Sequence, residues 1–111
     1  KVSIEEIHHI QKKDAPSGTA ISIAEGIMKH SSKTGWKLNE AEEDAIEITA
    51  KRIDTVHGLH EVVYASEIDS ISIKHEAHSR EGFAIGAIVA AEWLQSKKGV
   101  FTMKDVLRLD T

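Results

Sequence analysis

The chain has 111 residues, 41% of them hydrophobic and 29% charged, the makeup of one small globular domain and too short for two. Fourteen basic and eighteen acidic residues, mixed along the chain, give a net charge of −4, which excludes the basic field that a nucleic-acid partner requires. The lack of cysteine excludes disulfides and thiolate chemistry, and the longest apolar stretch, residues 83–94, is broken by Gly86 and Glu92 and too short for a bilayer, so no membrane partner is expected.

In chain order, Val2 and Ile4 alternate with Ser3 and Glu5, which predicts a half-buried strand over 2–7 ending at His8 and His9. The chain opens at Lys1 directly into this strand, without an initiator methionine, and reads as a piece of something longer. Residues 10–16 form a structured loop, because Pro16 favours an extended backbone at Ala15. Ser17 is a good N-cap, and Ala20, Ile21, Ala24, Ile27 and Met28 recur at helical spacing, which predicts a helix ending near Lys33. After the acidic loop 39–44 come three strand patterns, 45–53, 59–66 and 70–77, whose short connections predict an antiparallel meander. Residues 80–97 read as a helix apolar nearly all round, expected to lie against a second body, with Trp93, like Trp36, in a core or interface. Thr102 and Asp105 have the spacing of a capping box for a short helix over 103–109. The order β-α-β-β-β-α-α predicts an α+β fold, a mixed four-stranded sheet with helices on one face, in a single domain 1–111.

The chemistry concentrates in Glu6-Ile7-His8-His9-Ile10-Gln11-Lys12-Lys13-Asp14-Ala15-Pro16-Ser17-Gly18-Thr19-Ala20. A strand end delivers two imidazoles, a loop delivers an ammonium group, and a helix start led by glycine offers backbone N–H groups without helical partners. Those parts suit a small anion: a carboxylate fits the N–H groups of Gly18 and Thr19, with the Thr19 hydroxyl assisting. A histidine titrates near neutrality and can pass a proton, and a nearby lysine both favours the neutral ring and holds a carboxylate. Neighbouring strand residues point to opposite faces, so only one of His8 and His9 faces any one site while the strand continues. The pairs His57/His60 and His75/His78 invite a zinc reading, but residues three apart on a strand face opposite ways and no cysteine completes a set, so no metal is expected. His60 and His75 read instead as sheet residues with hydrogen-bonded rings.

The string HHxxKxDAPSGTA resembles the signature of the dihydrodipicolinate reductase family, and the match runs from Glu6 to Ala20 without a gap. His75-Glu76-Ala77-His78-Ser79-Arg80, then Gly82-Phe83-Ala84 and the alanine-rich helix, and the ending 99–107, also resemble that family's C-terminal segment. The resemblance implies the C-terminal substrate and tetramerisation domain of a cytoplasmic enzyme of the diaminopimelate route to lysine. Such an enzyme reduces 4-hydroxy-tetrahydrodipicolinate to tetrahydrodipicolinate with NADH or NADPH, and its cofactor is bound mainly by an N-terminal Rossmann domain that this chain does not contain. Carried over by position, His8 is the acid–base histidine and Lys12 acts with it. His9, Ser17, Gly18 and Thr19 contact a small dicarboxylate. Whether His8 gives the proton itself or orients a water while Lys12 does so stays open. The resemblance also implies a homotetramer built through the sheet, and an isolated 111-residue chain is expected to be inactive. The competing reading is a non-catalytic carboxylate-binding or assembly module.

Overall fold

The alternation along the first strand decides which side chains share the protein's core. In the computed structural model, which describes residues 1–109, β1 (Val2–His8) places Ile4, Glu6 and His8 on one face. A nine-residue loop with a cis Ala15–Pro16 bond leads to α1 (Gly18–Lys29). Four strands follow: β2 (Gly35–Leu38), β3 (Ala45–Arg52), β4 (Leu59–Ala65) and β5 (Ser70–Glu76). Two helices, α2 (Glu81–Leu94) and α3 (Met103–Val106), complete the order. The chain forms two compact units, Lys1–His78 and the residues from Ser79 onward. The last two positions of the expected domain 1–111 lie outside the described residues.

The sheet is mixed and has five strands in the order β2-β3-β1-β4-β5, one more than the sequence pattern predicts. The extra strand, β2, is only Gly-Trp-Lys-Leu, too short to show an alternation, and is fixed by parallel pairing of Trp36 with Ile46 and of Leu38 with Ile48. The expected meander is corrected too. β4 and β5 form a hairpin, but β1 lies between β3 and β4, parallel to the first and antiparallel to the second. The connection from β3 to β4 therefore passes the end of β1, where the Ile53 N–H donates to the His8 carbonyl at 2.8 Å.

The core explains the helix. Ala20 and Ala24, one turn apart and fully buried, let α1 lie close on Ile4, Ile46 and Ile48, with Val62 at the margin and Val2, Ile23, Ile27, Met28 and Trp36 packed around them. Ser17 caps α1 by accepting from the Ala20 N–H at 3.1 Å. The helix stops at Lys29, with His30 as C-cap, rather than near Lys33. No apolar residue after Met28 continues the buried stripe.

In the second unit the helices are shorter than their patterns. α2 spans 81–94 rather than 80–97, and α3 spans 103–106 rather than 103–109. The Asp105 carboxylate accepts from the Thr102 N–H at 2.8 Å, as the capping pattern predicts. Trp93 meets Phe101 edge to face at 5.1 Å, and Lys97 lies over the Trp93 ring. No residue of α2 is buried, and Phe83, Ile85 and Ile88 are each more than half exposed. No helix among the described residues is long and apolar enough to cross a membrane.

Candidate active site

Pairing in the sheet gathers a polar cluster at the C-terminal end of the central strand. On β1, Glu6 continues the face begun by Ile4, and the register sets it opposite His60 of β4. His8, two residues on, is opposite Arg52 of β3, and His60 is opposite His75 of β5. Because opposed residues share a face, Glu6, His8, Arg52 and His60 all emerge on the side of the sheet that carries Ile4 and α1.

Glu6 is completely buried. Its Oε1 accepts from Arg52 Nη1 at 2.5 Å. Its Oε2 faces His8 Nδ1, also at 2.5 Å, and neither of those two atoms has another partner among the described residues. A buried carboxylate without such partners would cost several kcal/mol. Arg52 has more to give: Nη1 also donates to the Lys51 carbonyl, Nη2 donates to the Asp14 carbonyl at 2.5 Å, and Nε donates to the Lys12 carbonyl at 3.3 Å. The loop that carries Lys12 is thus tied to β3. Within that loop, Lys12 Nζ pairs with Asp14 Oδ1 at 3.0 Å, and the Lys12 N–H donates to the His9 carbonyl.

The other end of the cluster is held by the helix start. His60 Nε2 and the Ser17 hydroxyl are 2.9 Å apart. The Ser17 oxygen already accepts from Ala20, so its own proton is free to go to an unprotonated His60 Nε2. The rings of His8 and His60 meet edge to face with centroids 5.1 Å apart. One run of contacts therefore joins the α1 N-cap to the loop of Lys12: Ser17, His60, His8, Glu6, Arg52.

Both imidazoles titrate below the ordinary 6.5. For His8 the main cause is burial, opposed by the charge and hydrogen bond of Glu6 and reinforced by Lys12 and Arg52. For His60 it is again burial, then the nearby His8, with Glu6 opposing and His75 and Lys12 adding. Both rings are consequently neutral at pH 7. The Asp14 carboxyl is held below the usual range, first by its bond to Lys12.

Of the residues expected from the sequence, His8, Lys12 and Ser17 belong to this cluster. Ser17 is 2% exposed and its hydroxyl is engaged by Ala20 and His60. Gly18 and Thr19 are exposed in the first turn of α1, and a Cβ on Gly18 would meet nothing within 4 Å among the described residues. His9 follows the last residue of β1, so strand alternation does not fix its direction. The residues that sequence reasoning passed over are Glu6 and Arg52, each at an inward position of an alternating strand, where a charge requires a partner. Gly58 is a third: it is buried, and a Cβ there would stand 3.6 Å from His8 Nε2 and Cδ2.

Glu6, His8 and His60 also offer one ligand atom each within 4.8 Å of one another, the grouping a metal ion would use. The charges around it disfavour a cation, because both Glu6 oxygens are engaged, one by Arg52, and Lys12 adds a second positive charge to the surroundings of both rings. The geometry suits an anion instead. Lys12 and the open first turn of α1 offer positive ends, and His8 offers a neutral ring whose Nδ1 is committed and whose Nε2 is bordered by a glycine.

Residues 1–107 match the family model described as "Dihydrodipicolinate reductase, C-terminus". A 4-hydroxy-tetrahydrodipicolinate reductase of Christiangramia forsetii is 61% identical over 107 residues, covering 96% of this chain and 45% of that protein. The enzyme of the same name from Rickettsia rickettsii is 40% identical, covering 97% of this chain and 47% of that protein. The chain thus spans about half the length of the curated relatives it matches. Among solved structures, a dipicolinate-bound dihydrodipicolinate reductase from Paenisporosarcina sp. TG-14 superposes with a TM-score of 0.67 at 28% identity, covering 94% of this chain and 43% of that one.

Proposed function

Since the chain belongs to the dihydrodipicolinate reductase family and matches its C-terminal domain, we propose that it binds a small cyclic dicarboxylate at the end of β1 and handles the proton that accompanies its reduction. The carrying observation is the convergence of a half-buried His8, the loop lysine Lys12 and the uncovered first turn of α1 in one fold unit. That the Paenisporosarcina relative was solved with dipicolinate bound supports the choice of ligand. In the whole protein the reaction is then the reduction of 4-hydroxy-tetrahydrodipicolinate to tetrahydrodipicolinate, in the diaminopimelate route to lysine in the cytoplasm.

The proposed division of labour follows from charge. One carboxylate takes the N–H groups of Gly18 and Thr19 with the Thr19 hydroxyl, and Lys12, released in part from Asp14, takes ligand charge. His9, next along the chain from His8, is proposed to complete the contacts, with Ser17 holding the first turn in place. Reduction of a conjugated imine leaves an enamine-like anion that needs a proton; His8 is proposed to take one up at Nε2 from solvent when the dianionic ligand binds beside it and then to deliver it, directly or through a water that Lys12 polarises. The turn from β1 to α1 has a single glycine, Gly18, and no G-x-G-x-x-G pattern to admit a pyrophosphate, so NADH or NADPH is proposed to bind elsewhere in the protein.

Calorimetric titration with pyridine-2,6-dicarboxylate tests the site. The wild-type chain should bind, and a Lys12→Ala/Thr19→Ala variant should lose at least about tenfold in affinity, roughly 1.4 kcal/mol. Equal binding by both would remove these residues from the site. Absence of binding by the wild type would leave the assembly-module reading. The homotetramer is likewise proposed, supported by the more-than-half-exposed Ile71 and Ile73 of β5. Sedimentation equilibrium returning only a monomer would remove it.

A further inference from the structure

We propose that Glu6 and Arg52 are a positioning pair: Glu6 fixes the His8 tautomer with its proton on Nδ1, leaving Nε2 as the working atom, and Arg52 locks Glu6 while tying down the loop of Lys12. Neither residue is placed to touch the ligand in the function proposed above, and the inference rests on that reading only in taking His8 as the proton-handling group.

The argument starts from burial. Glu6 is 0% exposed, so its charge survives only if a cation meets it, and the planar guanidinium of Arg52 does so at Oε1. That leaves Oε2, an acceptor with no other partner among the described residues, against His8 Nδ1 at 2.5 Å. An acceptor-only atom demands a proton from the nitrogen it faces, so a neutral His8 must carry its hydrogen on Nδ1. The Nε2 lone pair is then presented at the edge bordered by Gly58, where it can take up a proton and return it. The same guanidinium reaches the carbonyls of Lys12 and Asp14, so the setting of His8 and the place of Lys12 depend on one side chain. A lysine at position 52 could neutralise Glu6 but has no planar fork to reach both carbonyls as well.

Glu6→Gln turns this into a sharp test. Arg52 can only donate, so it fixes the amide oxygen of the new side chain on itself and turns the NH2 group toward His8. Nδ1 must then accept, and the tautomer inverts. Nitrogen-15 spectra of the imidazoles in the ligand-free protein, above the pH at which His8 titrates, read this directly. Wild-type His8 should be in the Nδ1–H form, and Glu6→Gln should make Nε2–H dominant. Glu6→Gln/Arg52→Met, in which nothing orients the amide, should lose that enforced inversion. A wild-type His8 found as Nε2–H overturns the proposal without any variant, which keeps it testable if a substitution at the buried site prevents folding. An unchanged tautomer in a folded Glu6→Gln variant also overturns it, and an inversion that persists in the double variant removes Arg52 from the pair. No ligand is present, so these outcomes are independent of whether pyridine-2,6-dicarboxylate binds.

Discussion

At the scale of single residues, what faces His8 is as informative as His8 itself. Gly58 is buried in the connection that crosses the end of β1, and among the described residues a Cβ there would meet the His8 ring, at an ordinary contact distance of 3.6 Å. Its backbone is not left-handed, so alanine is conformationally acceptable. Gly58→Ala should therefore leave stability within about 1 kcal/mol. It should still lower dicarboxylate affinity about tenfold, because the methyl fills the space through which a ligand atom or water would approach Nε2. Paired thermal unfolding and calorimetric titration check this, and unchanged affinity would mean that the ligand reaches His8 from another side. Glu6 illustrates what the sequence carries at this scale. A carboxylate in phase with Val2 and Ile4 on an alternating strand is a buried charge, legible from the alternation alone. Its partner is not legible, because Arg52 lies 46 residues away.

Elements differ in legibility for the same reason. β1, α1, β4 and β5 follow from local pattern: alternation, a serine cap, and alanines at i and i+4 that fit a helix onto a sheet. The β4–β5 hairpin is local too, since its turn spans only the residues between Ala65 and Ser70. The place of β1 between β3 and β4 is not, because inserting a strand into the middle of a sheet is decided by pairings between residues more than forty positions apart. β2 escapes for want of length, its four residues being strand only because β3 offers them a ladder. The site inherits this division. The stretch from His8 to Thr19 is contiguous and readable, whereas Arg52, Gly58 and His60 come to it only through the strand order. His60 reads from the sequence as a sheet residue with a hydrogen-bonded ring, and its bond to the α1 cap makes it a support of the helix start as well.

For the molecule as a whole, the cluster ties folding to pH. Burial lowers the proton affinity of His8 and His60 in the folded chain relative to the ordinary 6.5 that each regains on unfolding. As pH falls below that value the unfolded chain binds more protons than the folded one, so stability is complete above it and is lost progressively until the folded rings are themselves protonated. Asp14 acts in the same direction but lower, below the ordinary 3.8 of its carboxyl, so the two contributions occupy separate windows. Urea unfolding followed from pH 7.5 downward should show a midpoint that is level at first and then declines below about 6.5, well before carboxylates titrate. His60→Gln retains an oxygen or nitrogen for the Ser17 hydroxyl and removes one titrating ring, so it should reduce the slope in that window while leaving the decline at lower pH. A flat midpoint between pH 7.5 and 5 in the wild type would mean that the Glu6 charge offsets burial in full. The rings would then take up protons as readily in the folded chain as in the unfolded one. If the proposed dicarboxylate dianion binds at this cluster it favours the protonated rings, and the same linkage then makes ligand binding take up protons where the empty site resists them.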